Sequence, residues 1–423
     1  MLPKQGDGFS LDTSVPVLLF KIGRYVIHHG SLGVIRSLGR AGVPVYAIVE
    51  DRLTPIALSR YLAGAFVRDT STSDACELLG DLASIGGHLG RKAVLVPTDD
   101  RAAIFLSEHC RDLEKWYFLP PVATELPRLV ANKNSLYELC RSTGLPCPET
   151  AFPRSMNEVD EFMDRVQFPI MVKTAECLPG SATPQKVVIT RTRSELVSLY
   201  RNRNQAESLN FVLQEYIPHS YAEDWIFHGY CNPTTDCFVP FTGKKLRSFP
   251  AFAGFTTLGI SARNETLCHQ SREFLQSIGY AGIVDMDYRF DKRDGRYKLL
   301  DCNPRIGANF CMFRDDAGLD VVRALHLDLT GRTVRQVASV EGRKFLVEPY
   351  DLFGTLGYMR KRELTVREWW HTLQGEKEFA WFSRADPAPF LGMCGRLGIL
   401  MVAGAGRRAL KRVRALARQN GQA

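Results

Sequence analysis

The residues best equipped for chemistry lie in one stretch. Gly282-Ile-Val-Asp-Met-Asp-Tyr-Arg-Phe290 is followed by a turn and then Lys298-Leu-Leu-Asp-Cys-Asn-Pro-Arg305. Side chains two apart in a strand share a face. Asp285 and Asp287 therefore point one way, as do Asp301 and Asn303. A hairpin turning at residues 291–295 sets the two pairs side by side. Such oxygens suit Mg²⁺, which keeps waters and phosphate oxygens in its shell and needs only two or three protein ligands. The same pattern also makes a solvated hairpin with its charges outward. Asn-Pro-Arg follows directly, and it puts the Arg305 guanidinium where it can touch an anion.

Two lysines and one strand end add to the set. Lys133 stands at the start of a helix, and Lys173 ends the apolar run Phe168-Pro-Ile-Met-Val-Lys173. A lysine so placed can aim a point charge at phosphate, or it can sit in solvent. Gln214-Glu215-Tyr216-Ile217 closes another strand. Its backbone can read an adenine edge, with Glu215 as an acceptor, or it can be an ordinary strand end. Lys244, Lys245 and Arg247 form a basic knot ahead of the glycine-bearing apolar segment 252–259. The knot reads as an anion contact or as a solvated turn. His28 and His29 line an acceptor pocket or occupy a loop without a ligand.

The elements that must position these residues follow from hydrophobic periodicity. Strands are expected at 15–20, 43–49 and 93–96, with helices at 30–40, 75–85 and 102–110. This βαβ pattern makes residues 1–120 an open α/β domain, and no G-x-G-x-x-G turn marks it as a dinucleotide site. Helices are expected at 135–143, closed by Gly144, and at 158–166, 194–202 and 272–278. Strands are expected at 170–173, 187–190, 211–216, 225–241, 283–290 and 297–301. Between two of them lies a small-residue loop, 178–184.

Taken in order, these pieces resemble the ATP-grasp superfamily over roughly residues 15–330. Ala131-Asn-Lys133 with its helix and Gly144-Leu-Pro-Cys-Pro148 resembles the opening of an ATP-binding part. Phe168–Lys173 resembles the second ATP lysine, and Gln214-Glu215-Tyr216-Ile217 the adenine hinge. Asp287, Asp301 and Asn303 fall at the family's metal positions, and Arg305 at the arginine of its E-x-N-P-R pattern. The family usually has glutamate where this chain has aspartate. Thr242-Gly-Lys-Lys-Leu-Arg247, Phe249-Pro250, Asp294-Gly-Arg-Tyr297 and Ser383-Arg-Ala-Asp386-Pro387 are similar to a bacterial group of predicted carboxylate–amine ligases.

The resemblance implies an α/β and α+β multidomain protein. An N-terminal pre-ATP-grasp domain (1–120) would precede a two-lobed ATP-grasp domain (121–330), with a nucleotide-covering lobe at about 145–215 and a metal and substrate lobe at about 216–330. A C-terminal helical extension (331–423) would follow. It also implies an ADP-forming ligase that activates a carboxylate as an acyl phosphate and joins it to an amine. The cofactors would be ATP and Mg²⁺, with Mn²⁺ as the alternative. Lys133 and Lys173 would hold phosphates, and Asp287, Asp301 and Asn303 the metal. Arg305 would stabilise the tetrahedral oxyanion, and Lys244 and Arg247 would hold the γ-phosphate or the substrate carboxylate. The substrates would be small-molecule, peptide or glycan carboxylates and amines. A nucleotide-binding protein at a membrane surface without turnover, and an ATP-grasp kinase or carboxylase, are the competing readings.

Bulk properties bound these expectations. The 423 residues are 45% hydrophobic and 24% charged, ordinary for a chain of two or three globular domains. Net charge is +8, and six positive charges fall in the tail at Arg407, Arg408, Lys411, Arg412, Arg414 and Arg418. The remainder carries 8 − 6 = +2, so no nucleic-acid footprint is expected on the body. The tail has the apolar and basic faces of a membrane-surface helix, and a helix packed on the core with a basic end fits equally. Eleven scattered cysteines without C-x-x-C or zinc spacing suit a reducing compartment. A polar start, and apolar runs too short for a leader or a membrane span, lead to a cytoplasmic expectation, peripheral at the inner membrane surface if the tail binds lipid.

Overall fold

The computed structural model describes residues 9–71, 73–174, 187–201, 211–251 and 254–399, with only the backbone at 173, 174, 187 and 211. The loop 178–184, Phe252 and the basic tail lie outside the described residues. The chain divides into two compact units, one of residues 1–131, 226–285 and 303–423, the other of 132–225 and 286–302.

The first unit begins with a parallel sheet of β1 (Val17–Phe20), β2 (Val45–Val49), β3 (Leu62–Val67), β4 (Ala93–Pro97) and β5 (Tyr117–Phe118), in the order β3-β2-β1-β4-β5. β1 is buried along its whole length, as a parallel strand covered on both faces must be. Val17 and Leu19 join one core with Leu32, Ile35 and Leu38 of the helix His29–Arg40. Leu18 and Phe20 join another with Leu78, Leu82 and Ile85 of the helix Ala75–Leu89. That helix starts at a capping box, Asp74 with Glu77, and ends at Gly90 with φ +66°, which closes it at both ends. Strand order reverses between β1 and β4. The carboxyl ends of these two strands therefore flank the crevice where open α/β sheets admit ligands.

The second unit holds an antiparallel sheet of β6 (Thr150–Ala151), β7 (Ile170–Thr174), β8 (Val187–Thr190) and β9 (Phe211–Glu215), ordered β6-β9-β7-β8. The helix Met156–Arg165 buries Val159, Phe162 and Met163, a spacing of three and four that makes one face. These pack with Ile170, Val172, Leu196 and Leu213. Each such fully buried aliphatic or aromatic side chain contributes roughly 1.5–3 kcal/mol over exposure. The helix Lys133–Thr143 starts where the Asn132 side chain accepts from the amides of Asn134 and Ser135, and ends at Gly144, φ +74°.

A seven-stranded sheet runs β14-β13-β10-β11-β12-β15-β16, formed by β10 (Ala222–Asn232), β11 (Cys237–Phe249), β12 (Phe255–Ser261), β13 (Gly282–Asp291), β14 (Arg296–Asn303), β15 (Lys344–Leu346) and β16 (Lys377–Phe379). The expected strand 225–241 is thus two strands, broken at residues 233–236, where Thr234 N–H and hydroxyl both bond the Asn232 side chain. Beyond residue 330 the chain does more than add helices. β15 pairs antiparallel with β12, and β16 pairs parallel with β15. These three-residue strands are too short for a period-two pattern to show. Among the described residues no helix is long and apolar enough to cross a membrane.

Candidate functional site

Within the first unit, the segment 303–309 leaves β14 and runs past β10 and the end of β4. Arg305 Nη1 donates to Asp285 Oδ2 at 3.0 Å and to the Ile306 carbonyl at 3.2 Å. Its Nε lies 3.3 Å from Asp100 Oδ1. Asp100 opens the helix Asp100–Glu108, directly after the capping residue Asp99. The Asp99 carboxylate also accepts from Ile22 N–H at 2.8 Å, tying the carboxyl ends of β1 and β4 together, and burial raises its pKa. Asn303 Nδ2 donates to the Asp285 carbonyl at 3.2 Å.

His228 fixes this segment from beneath. Its Nε2 accepts the Gly307 N–H at 2.8 Å, so the neutral ring carries its proton on Nδ1, a buried atom with no hydrogen-bond partner. The ring is fully buried and stacks on Phe310 and Phe313. Burial, with the Arg305 charge adding, lowers its pKa to about 3. A Cβ at position 307 would stand 2.4 Å from His228 Nε2 and 2.6 Å from Asp285 Cγ, so only glycine fits. On the β1 side, His28 caps the helix His29–Arg40 through Nδ1, and its pKa falls to about 3, chiefly from burial. His29 sits among the rings of Phe255, Phe345 and Trp381, and burial lowers it to about 4. The pair is thus built into the packing around the first loop. Lys21, at the end of β1, is buried against Glu50 at 2.7 Å, and burial outweighs that partner to lower its pKa.

Arg247 and Lys244 lie elsewhere in this unit. Arg247 is buried, and its Nε and Nη2 both bind Asp351 at 2.8 Å, with Nη1 on Thr372. Three of its donors are thus taken, the Asp351 pair joins β11 to the helix Glu348–Arg360, and the side chain is buried from solvent. Lys244 is half-buried on β11, opposite Ile260 of β12. Asp386, from the Ser383–Pro387 motif, is likewise buried and accepts from Arg36, Ser59 and the Arg60 amide.

Within the second unit, Lys133 and Gln214 share a cavity of about 240 Å³, also lined by Thr150, Cys140, Cys147 and Leu299. Lys133 stands exposed at its rim, and Gln214 Nε2 donates to Thr150 Oγ1 at 3.1 Å. The Glu215 carboxylate is taken. It binds Lys298 at 3.1 Å and Arg293 at 2.6 Å, and its amide donates to the Glu149 carbonyl. Burial opposes the Lys298 charge, but Asp291, Asp294 and Glu215 outweigh it and hold its pKa above the usual value. Tyr216 is half-buried, and the buried Ile217 gives its carbonyl to Arg289. Lys173 is on β7, opposite Val187 and Val212, and its side chain lies outside the description. Asp287 on β13 is half-buried between the buried Met286 and Tyr288, and Asp301 on the neighbouring β14 is half-buried between the half-buried Leu300 and the buried Cys302.

The alternation along β13 bears on a metal. Val284, Met286 and Tyr288 are buried while Asp285 and Asp287 are half-exposed, so these two carboxylates share the accessible face. Asp285 is committed to Arg305. Among the described residues no group of three or more His, Cys, Asp and Glu stands ready for a metal. A magnesium that keeps water and phosphate oxygens in its shell needs only two or three protein oxygens.

Sequence reasoning missed His228, Gly307, Asp100 and Lys298. Asp99-Asp100, just past an apolar strand, was a readable signal, because strand ends feed the crevice. Nothing in the sequence marks His228, which sits inside a strand among apolar residues.

No family model matches the chain. Over 227 residues it is 26% identical to a D-aspartate ligase of Enterococcus faecium (strain Aus0004), a stretch covering 51% of this chain and 54% of that protein. The chain therefore matches about half the length of this curated relative. Among solved structures it resembles N5-carboxyaminoimidazole synthetase from Staphylococcus aureus, with TM-score 0.58 and 13% identity, over 79% of this chain and 82% of that one. It also resembles the biotin carboxylase domain of a thermophilic 2-oxoglutarate carboxylase bound to bicarbonate, with TM-score 0.56 and 15% identity, over 76% and 70%. The corresponding Hydrogenobacter thermophilus domain, with TM-score 0.55 and 15% identity over 76% and 71%, was solved with MgADP. At these identities the structural likeness is one of fold.

Proposed function

We propose that this chain, which has the ATP-grasp fold, is an ATP-dependent carboxylate–amine ligase. The observation that carries the proposal is the sequence likeness to a D-aspartate ligase on that fold. ATP would supply the phosphoryl group, and Lys133 and Lys173 would hold its phosphates. Gln214, Tyr216 and Ile217 would face the adenine, with Glu215 braced by Lys298 and Arg293. Asp287, Asp301 and Asn303 would hold Mg²⁺, which when bound offsets charge on phosphate oxygens; Mn²⁺ is the alternative ion.

Positioning and electrostatics supply most of such catalysis. The substrate carboxylate would attack the γ-phosphate to give an acyl phosphate and ADP. The amine would then attack the acyl carbon and expel phosphate. Arg305 is half-exposed and held from two sides by Asp285 and Asp100, a geometry that suits it to receive the oxyanion. Lys244 would hold the carboxylate or the γ-phosphate. Arg247, bound to Asp351, would act by fixing β11 in place rather than by touching substrate.

The three-part division at residues 120/121 and 330/331 is part of the proposal. So is a cytoplasmic location, with the basic tail as a contact to an anionic membrane surface. The substrates would be a small-molecule, peptide or glycan carboxylate and amine. The test is ADP and phosphate release from ATP and Mg²⁺ with a panel of carboxylic acids and amino acids, D-aspartate included, each with and without an amine. Release that needs both partners supports the ligase. Release with bicarbonate alone points to a carboxylase, a stable phosphorylated product to a kinase, and nucleotide binding without turnover to a binding protein.

A further inference from the structure

Two cysteines that the ligase chemistry leaves unused line the Lys133–Gln214 cavity. Cys140 lies in the last turn of the helix Lys133–Thr143. The left-handed Gly144 reverses the chain, and Leu145 N–H returns to the Cys140 carbonyl at 2.9 Å. The segment after it is pinned where Leu299 N–H donates to the Pro146 carbonyl at 2.8 Å. This brings Cys147 back to the helix end that carries Cys140, on the wall of one cavity. Both are reduced, and both line the same cavity of about 240 Å³ with Lys133, Thr150 and Gln214. Cys140 is buried, while Cys147 is half-exposed.

We propose that Cys140 and Cys147 form a dithiol modification site on this cavity, oxidised to a disulfide by hydroperoxides. The two thiols differ in the way such chemistry needs. The Cys140 thiol lowers the Cys147 pKa, with the charges of Lys298 and Arg141 adding to it against burial and Glu149, whereas the Cys147 thiol and burial raise Cys140. Thiolates are the nucleophiles. The Cys147 thiolate attacks a peroxide oxygen, the O–O bond breaks, and the leaving oxygen takes a proton to become water or an alcohol. The Cys140 sulfur then attacks the resulting sulfenic acid. An S–S bond forms, the S–O bond breaks, and the Cys140 proton leaves with hydroxide as water. The two thiols lose two electrons in all, and the peroxide gains them.

The expected effect on nucleotide rests on the ATP site proposed above, but the cross-link does not. The test treats the full chain with hydrogen peroxide, alkylates the remaining thiols and maps peptides without reduction. The expected result is one peptide pair joined through Cys140 and Cys147, reversed by dithiothreitol, with MgATP affinity at least tenfold weaker while the cross-link lasts. Cys147→Ser should leave Cys140 fully alkylatable after the same dose, and Cys140→Ser should stop Cys147 at the sulfenic acid. Both thiols remaining alkylatable while the exposed Cys76 and Cys394 oxidise would overturn the proposal. Reduced protein that binds no MgATP would sink the ligase reading, and the peptide map would still decide the dithiol.

Discussion

Two guanidiniums of the first unit look alike in sequence and differ in what surrounds them. Arg247 and Asp351 are both buried, with side chains 3% and 5% exposed, and the carboxylate meets two nitrogens at 2.8 Å while Thr257 adds a hydrogen bond to it. Arg305 keeps 21% of its side chain accessible and lies between Asp285 and the partly exposed Asp100. The first arrangement spends its charge on the fold. The second holds a guanidinium between two carboxylates and keeps part of its surface accessible. A basic residue in a motif is thus a candidate for chemistry only after its partners are counted.

Five variants would break or sharpen that contrast. Arg247→Ala strands the Asp351 carboxylate in the core and should cost about 3–5 kcal/mol, read by urea unfolding. Arg247→Met with Asp351→Leu should recover most of it. Full stability in the single variant would remove the structural reading. Arg305→Ala should instead lower turnover about 10²–10³-fold, or about 2.7–4 kcal/mol, and leave the melting temperature close to wild type. Near-normal activity would remove Arg305 from the reaction.

The buried imidazole beneath Arg305 gives the next effect. His228 has a folded pKa of about 3 against roughly 6.5 unfolded. Its contribution is complete above the unfolded value and is lost as pH falls towards the folded one. Between pH 7.5 and 5 the loss should be about 2 kcal/mol from this ring. His28 and His29, at about 3 and about 4, act in the same direction. His228→Gln, which keeps an acceptor for Gly307, should flatten the pH profile of denaturant midpoints between 7.5 and 5. An unchanged profile would contradict the buried neutral ring. Lys133→Ala should have the smallest effect, raising the KM for ATP about tenfold, about 1.4 kcal/mol, since Lys133 is exposed at its rim. An unchanged KM would detach the second unit's cavity from nucleotide.

Much of the fold was legible in the residues. The run Val-Leu-Leu-Phe, the capped helix from Asn132 to Gly144 and the hairpin from 282 to 303 each carry their own periodicity and stop signals. Local rules decide such elements, so local sequence shows them. β3 was not expected. Its Leu-Ala-Gly-Ala-Phe-Val alternates between half-buried and exposed positions, and it is held by pairing with β2 rather than by an apolar face. β15 and β16 were missed because three residues cannot display a pattern. The candidate site divides the same way. Asp285, Asp287, Asp301 and Asn303 were readable as alternating strand residues, and Arg305 from the Asn-Pro-Arg that follows them. His228 was not, because its role depends on a partner 79 positions away.

The sequence by itself determined the order of elements and the face on which the aspartates stand, because periods of 2 and 3.6 residues are written into neighbouring positions. It also determined that residue 307 is glycine, though not why. Tertiary structure alone decided which charges are buried and which stay accessible. It buried Arg247 on Asp351, tied Glu215 to Lys298 and Arg293, left Arg305 partly accessible above His228, and folded Cys147 back onto Cys140. The reason is physical. A charge's use depends on its desolvation and on partners brought from distant parts of the chain, and neither is a property of the residues beside it.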